Sequence, residues 1–328
     1  MSKKLIAIAV AAGLALPMAS VHAADVADKK LEVYGKLHLN FSSNDELDDT
    51  KDNWRLSSNA SRLGFKGQIK LDDGLIGTYK MESEIAVEDG DTAFATRNTY
   101  VGLKGAFGEI RIGRHDSPLK KAQGKFDQFG DTDGDLKHAG DQDGENRNKN
   151  SITYLNKFDQ FGFSAQIVPG EGDGVSKGDG PADTISVALS YKDGPLYLAL
   201  AQDSHDSTAG QAEDALTRLV ATYKLSKMQF GLLLQSGVEK PASAANKEDW
   251  LGLSFNMKMS KNNKFKAQYI SVEDSATSAL ESTQISVGID HKLGKKGSVY
   301  AMYNTIEEEN TATTKDNSSI SVGYILKF

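Results

Sequence analysis

The residues between Asp116 and Lys149 invite a chemical reading before any others, because acids, lysines and glycines crowd together there without a regular period. Asp131-Thr-Asp133-Gly-Asp135 has the look of a calcium loop. An EF-hand loop requires glycine at its sixth position and glutamate at its twelfth. Counted from Asp131, glycine stands fourth and Gln142 twelfth, so no metal site is expected. G-x-S-x-G, H-E-x-x-H, Walker and G-x-G-x-x-G signatures are absent, and the six histidines form no ligand cluster along the chain. No catalytic residue and no cofactor is therefore assigned, although a protease or lipase with scattered site residues is the enzymatic alternative. The chemistry left is electrostatic. Charges fixed around a water-filled path orient solutes and set ion preference through their field. Lys36, Arg62 and Lys80 are candidates from the residues alone, since each lies on the polar side of an alternating segment.

Those segments are strands. After residue 30 the apolar residues recur with period 2. Leu31, Val33, Leu37, Leu39 and Phe41 oppose Glu32, Tyr34, Lys36, His38 and Asn40, and Leu251, Leu253, Phe255, Met257 and Met259 oppose Gly252, Ser254, Asn256 and Lys258. Segments of about 9–11 residues that alternate in this way suit a tilted crossing of a bilayer. The connections alternate in length as well. Tight turns fall at 72–74, 105–108, 156–160, 192–195, 225–227, 260–263 and 293–297. Long polar stretches fall at 42–53, 88–94, 116–149, 170–182, 205–214, 239–248, 274–281 and 308–317. Seven turns and eight loops imply sixteen strands, an all-β antiparallel transmembrane barrel with short periplasmic turns and long extracellular loops. The stretch 116–149 is expected to fold into the mouth and narrow it, since long structureless connections tend to be functional or disordered. A secreted β-sandwich also alternates, but does not readily accommodate sixteen strands and a single long central loop.

Composition agrees with export. Lys3 and Lys4, the apolar run Leu5–Leu16 and the Val21-His22-Ala23 site form a secretory signal peptide over 1–23, leaving 24–328 as the barrel. The chain has no cysteine, so a closed sheet rather than disulfides would hold it. Its formal net charge of −7 argues against a nucleic-acid partner, which needs a basic stripe to displace counterions. The mean hydropathy of −0.44 decides nothing, because lipid-facing and lumen-facing residues cancel in the average of a barrel.

The chain ends Ser-Val-Gly323-Tyr324-Ile-Leu326-Lys-Phe328, a closing strand with a terminal aromatic that resembles the assembly signal of outer-membrane barrels. Together with VYGKLHLNF, SRLGFKGQIKL, TRNTYVGLKGAFGEIRIGR and RNKNSITYLN, it makes the whole mature chain resemble the Gram-negative general porins. The resemblance implies a homotrimer in the cell outer membrane, in contact with lipid and lipopolysaccharide. It also implies passive diffusion of ions and small hydrophilic solutes. Basic residues on the wall would face acids on the infolded loop: Lys36, Arg62 and Arg97 at matching strand positions, with Lys80 added by parity, against Asp127 and Asp131. KFDQFGD matches the constriction loop loosely, with Asp127-Gln128 where the family has a Pro-Glu pair. A substrate-selective channel with a saturable site, and an adhesin or receptor using the acidic loops, are the alternative functions.

Overall fold

The computed structural model describes residues 31–46, 53–88, 94–140, 144–170, 180–205, 213–240, 246–274, 281–309 and 314–328. The signal-peptide expectation lies outside them. The first strands are β1 (Glu32–Glu46), β2 (Asn53–Ser58 continued by Arg62–Lys70), β3 (Ile76–Glu84), β4 (Ala95–Thr96 continued by Thr99–Gly105) and β5 (Gly108–Asp116). A short helix α1 (Pro118–Ala122) follows inside the long loop. The wall resumes with β6 (Arg147–Phe158), β7 (Phe161–Val168), β8 (Thr184–Asp193), β9 (Leu196–His205), β10 (Glu213–Leu225) and β11 (Met228–Lys240). It finishes with β12 (Asn246–Lys258), β13 (Asn263–Asp274), β14 (Glu281–Lys292), β15 (Gly297–Glu309) and β16 (Thr314–Lys327).

All pairings are antiparallel between chain neighbours, and β1 pairs with β16 to close the sheet, placing Lys36 opposite Lys327 and Glu46 opposite Asn317. Eighteen hydrogen-bonded segments reduce to sixteen strands, because β2 and β4 are each interrupted once. In β2 the break falls at Asn59–Ser61, where Ala60 turns to φ 51°. The amide of Asn59 and the hydroxyl of Ser61 bond the carbonyl of His38, and Ser61 Oγ in turn accepts from the amide of His38. The backbone groups freed by the break are thereby satisfied. The seam is completed by a reciprocal pair of 3.1 Å bonds between the backbones of Gly35 and Phe328.

The barrel is apolar outside and polar within. Leu251 and Leu253 of β12 point outward, while Glu248, Trp250 and Ser254 at the alternate positions are buried inside. Lumen-facing Ser42, Gln166, Ser286 and Ser321 are all buried. Aromatic rings gather on the outer face toward the short turns: Phe161 against Tyr191 at 5.0 Å, and Phe230, Phe255 and Phe265 in a row at 5.3 and 6.3 Å. Such a belt suits the membrane–water boundary. All seven predicted tight turns are present, and several strands run further toward the long-loop end than the alternation alone indicates.

Candidate functional site: a latched loop inside the barrel

The loop leaves the wall after β5 and returns before β6. Its root is fixed by the Ser117 amide on the Asn146 carbonyl at 3.0 Å and by Arg147 on Asp116 at 2.9 Å. The stretch is not structureless. Ser117 caps α1 by accepting from the Lys120 amide, Pro118 opens the helix, and a 3-10 turn at Leu136–His138 is capped by Asp135.

Apolar side chains seat this loop along one side of the lumen. Leu119 and Ala122 pack on Ala188, Ala199, Ala201 and Leu216 of β8–β10. Phe126, Leu136 and Ala139 pack with Val220, Leu233, Trp250, Ile270 and Val272 of β10–β13. Phe129 lies with Tyr300 and Met302 of β15. Two wall glycines make the approach possible. A Cβ on Gly252 would stand 2.5 Å from the Phe126 ring, and one on Gly288 3.2 Å from Phe129.

Charged latches finish the attachment. Lys36 Nζ lies 2.6 Å and Arg62 3.0 Å from the same Asp131 oxygen. Burial works to raise the Asp131 carboxyl, but the two cations outweigh it and hold it at about 2. Asp133 accepts from Ser321 at 2.6 Å and from Asn40 and Arg55 at 3.4 Å. Fully buried Arg218 donates to Glu145 at 3.0 Å and to Gln235 at 2.6 Å.

The structure therefore brings together Lys36, Arg62 and Asp131, in direct contact rather than across an open gap, because the loop reaches the wall at β1 and β2. Lys80 and Arg97 pair elsewhere: both bond Glu82, at 3.1 and 3.0 Å, and Arg97 also bonds Glu84. Tyr34 donates to Glu82 at 2.8 Å. Asp127 does not meet the basic wall. It turns back to accept the Phe129 amide at 2.7 Å, and burial, reinforced by the neighbouring Asp135, raises its carboxyl. The three aspartates of the calcium-like run point to separate partners, Asp135 accepting from the amides of Asp131 and Lys137.

Gly323, Tyr324, Leu326 and Phe328 lie along the seam. Tyr324, Leu326 and Phe328 face outward, while the Tyr300 ring covers Gly323 from within, 2.2 Å from where a Cβ would stand. Sequence reasoning missed the Arg218–Glu145 latch and the aromatic seat. Their available signal was the lumen-parity apolar residues Val220, Leu233 and Ile270, which no polar water-filled face needs.

On one side of the Asp131 latch, toward the short turns, a cavity of about 430 Å³ is lined by Lys36, Arg62, Lys266, Tyr300 and Lys327. It is space for water and ions beside a fixed cluster of charge.

A family model described as Gram-negative porin matches residues 7–311. The major outer membrane protein P.IB of Neisseria gonorrhoeae is 28% identical over 248 residues, 70% of this chain and 65% of that protein. The aligned stretch spans about a third, 35%, of the corresponding Neisseria meningitidis protein, so the match covers only part of the length of these relatives. Among solved structures, an anion-selective porin from Comamonas acidovorans superposes with a TM-score of 0.82 at 21% identity, over 92% of this chain and all of that one. The OmpT outer membrane protein of Vibrio cholerae in its trimer form gives 0.71 at 15%, over 92% and 100%.

Proposed function

This chain belongs to the Gram-negative porin family and resides in the outer membrane, and from that premise we propose that it is a water-filled channel for passive diffusion of ions and small hydrophilic solutes. One observation carries the reading: a closed barrel encloses a loop latched through Asp131 to Lys36 and Arg62. A loop held that way narrows the lumen and sets fixed charge beside the path of a solute. Lys36, Arg62, Lys80 and Arg97 form the basic side in this reading, and Asp131 is the acid that meets it. Asp127, folded under the loop, shapes the turn that presents Asp131.

We further propose a homotrimer, supported by family membership and by the trimeric OmpT relative in fold, and an N-terminal export signal over 1–23 that is removed. Conductance across a planar bilayer tests the channel. Discrete ohmic steps in groups of three are expected, and Arg62→Glu should move the reversal potential in a salt gradient toward cations. A barrel that inserts yet passes no current would favour the adhesin or receptor reading instead.

A further inference from the structure

A second lumen cavity, of about 610 Å³, lies between α1 and the short-turn rim. That volume is within the range of small-molecule sites. Its lining departs from what a purely aqueous path requires. Ile76 of β3, Leu155 of β6, Ala188 of β8 and Tyr197 of β9 contribute to its wall, and Pro118 and Ala122 of the loop helix roof it. The roof is tied to the wall, because the Tyr197 hydroxyl donates to the Ala122 carbonyl at 3.0 Å. The recess is thus a formed feature of the latched loop.

Its charge is one-sided. Lys104, Lys121 and Lys157 stand exposed in its lining, with no ion pair among the described residues. The acid in the same lining, Glu109, is already committed, to Arg111 through two bonds of 2.9 Å and to the Thr78 hydroxyl at 2.7 Å. An apolar floor beneath uncommitted ammonium groups suits a solute with an apolar body and a negative head.

We propose that this recess is a binding subsite for an amphipathic organic anion, a carboxylate on an aromatic or short aliphatic body. The inference rests on the diffusion-channel reading and deepens it, since such a subsite makes passage saturable for that class of solute. A cation of the same shape meets uncompensated lysines, and a small hydrophilic anion gains nothing from Ile76 and Leu155.

The test is current block through the single channel by benzoate, with acetate and benzylammonium as matched probes. Steps in potassium chloride alone establish the open channel, so a failure of the channel and a failure of the subsite are read separately. Benzoate should interrupt the current at concentrations where acetate and benzylammonium leave it steady. In Lys121→Gln/Lys157→Gln the half-blocking concentration should rise about fivefold, the scale of losing two exposed charge contacts. Leu155→Ser should weaken block by benzoate while retaining the lysines. Equal behaviour of benzoate and acetate in an open channel, or an unchanged half-blocking concentration in the lysine variant, would overturn the subsite.

Discussion

At Asp131 two cations share one carboxylate oxygen, and that geometry sets the pH behaviour of the loop. Its carboxyl is held at about 2, below the ordinary aspartate value near 3.9. A depressed carboxylate contributes stability that is present above the unfolded value and is lost as pH falls through the folded one. Conductance should therefore show no Asp131-dependent change between pH 7 and 4, with a step only as pH approaches 2. Asp131→Asn should abolish the step and give a released loop at neutral pH, read as altered conductance and faster proteolysis within 117–146. A wild-type step centred near pH 4 would contradict the assigned latch. Lys36 and Arg62 were legible beforehand, because alternation alone puts both on the lumen face. The choice between Asp127 and Asp131 was not, since both are loop acids and only the turn at Phe129 directs one of them away.

Loop and wall form one packed element, built from two kinds of contact. Arg218 has no exposed surface and its partner Glu145 is 11% exposed, with Lys120 Nζ a second cation 3.6 Å from it, so removing Arg218 leaves a largely buried carboxylate only partly compensated. Arg218→Met should destabilise by up to about 3 kcal/mol, the low end for breaking a buried pair because Lys120 remains, and Arg218→Met/Glu145→Gln should recover most of it, measured by denaturant unfolding. The apolar seat is tested at Gly252. A Cβ there meets the Phe126 ring, so Gly252→Val should displace the loop at a cost of about 1–3 kcal/mol and raise single-channel conductance with the barrel intact. Unchanged conductance would mean that Phe126 does not set the width. Sequence patterning placed the loop and its flanking strands, yet read as structureless a segment whose Ser117-Pro118 start is a helix signal. Leu232-Leu233-Leu234 in β11 likewise reads as a plain apolar run, and its meaning came only from Leu233 lying in the cluster with Phe126.

The whole barrel depends on a seam between its two ends. Phe328 exchanges two backbone bonds with Gly35, and its ring lies over that glycine, 2.2 Å from where a Cβ would sit. Deleting Phe328 should lower the yield of assembled, heat-resistant barrel severalfold while leaving synthesis and export unchanged, as followed by heat-modifiable migration of membrane fractions. If the truncated chain assembles as well as the full one, the terminal aromatic has no part in closure. Gly35→Leu tests the same contact from the other strand and should share the defect.

The sequence by itself determined the strand period, the alternation of short turns with long loops, and hence the sixteen-stranded barrel, because a half-buried strand writes its two faces directly into alternate residues. Parity also put Lys36, Arg62 and Lys80 on the polar face of their strands, whereas Arg97 was assigned from the family resemblance and Arg218 was not singled out. What only the tertiary structure decided was where the loop goes. Its path depends on contacts between residues far apart in the chain, such as Asp131 with Lys36, Glu145 with Arg218 and Phe126 with Gly252. A local period carries no record of such pairs, since each partner reads alone as an ordinary charge, aromatic or glycine on its own strand or turn.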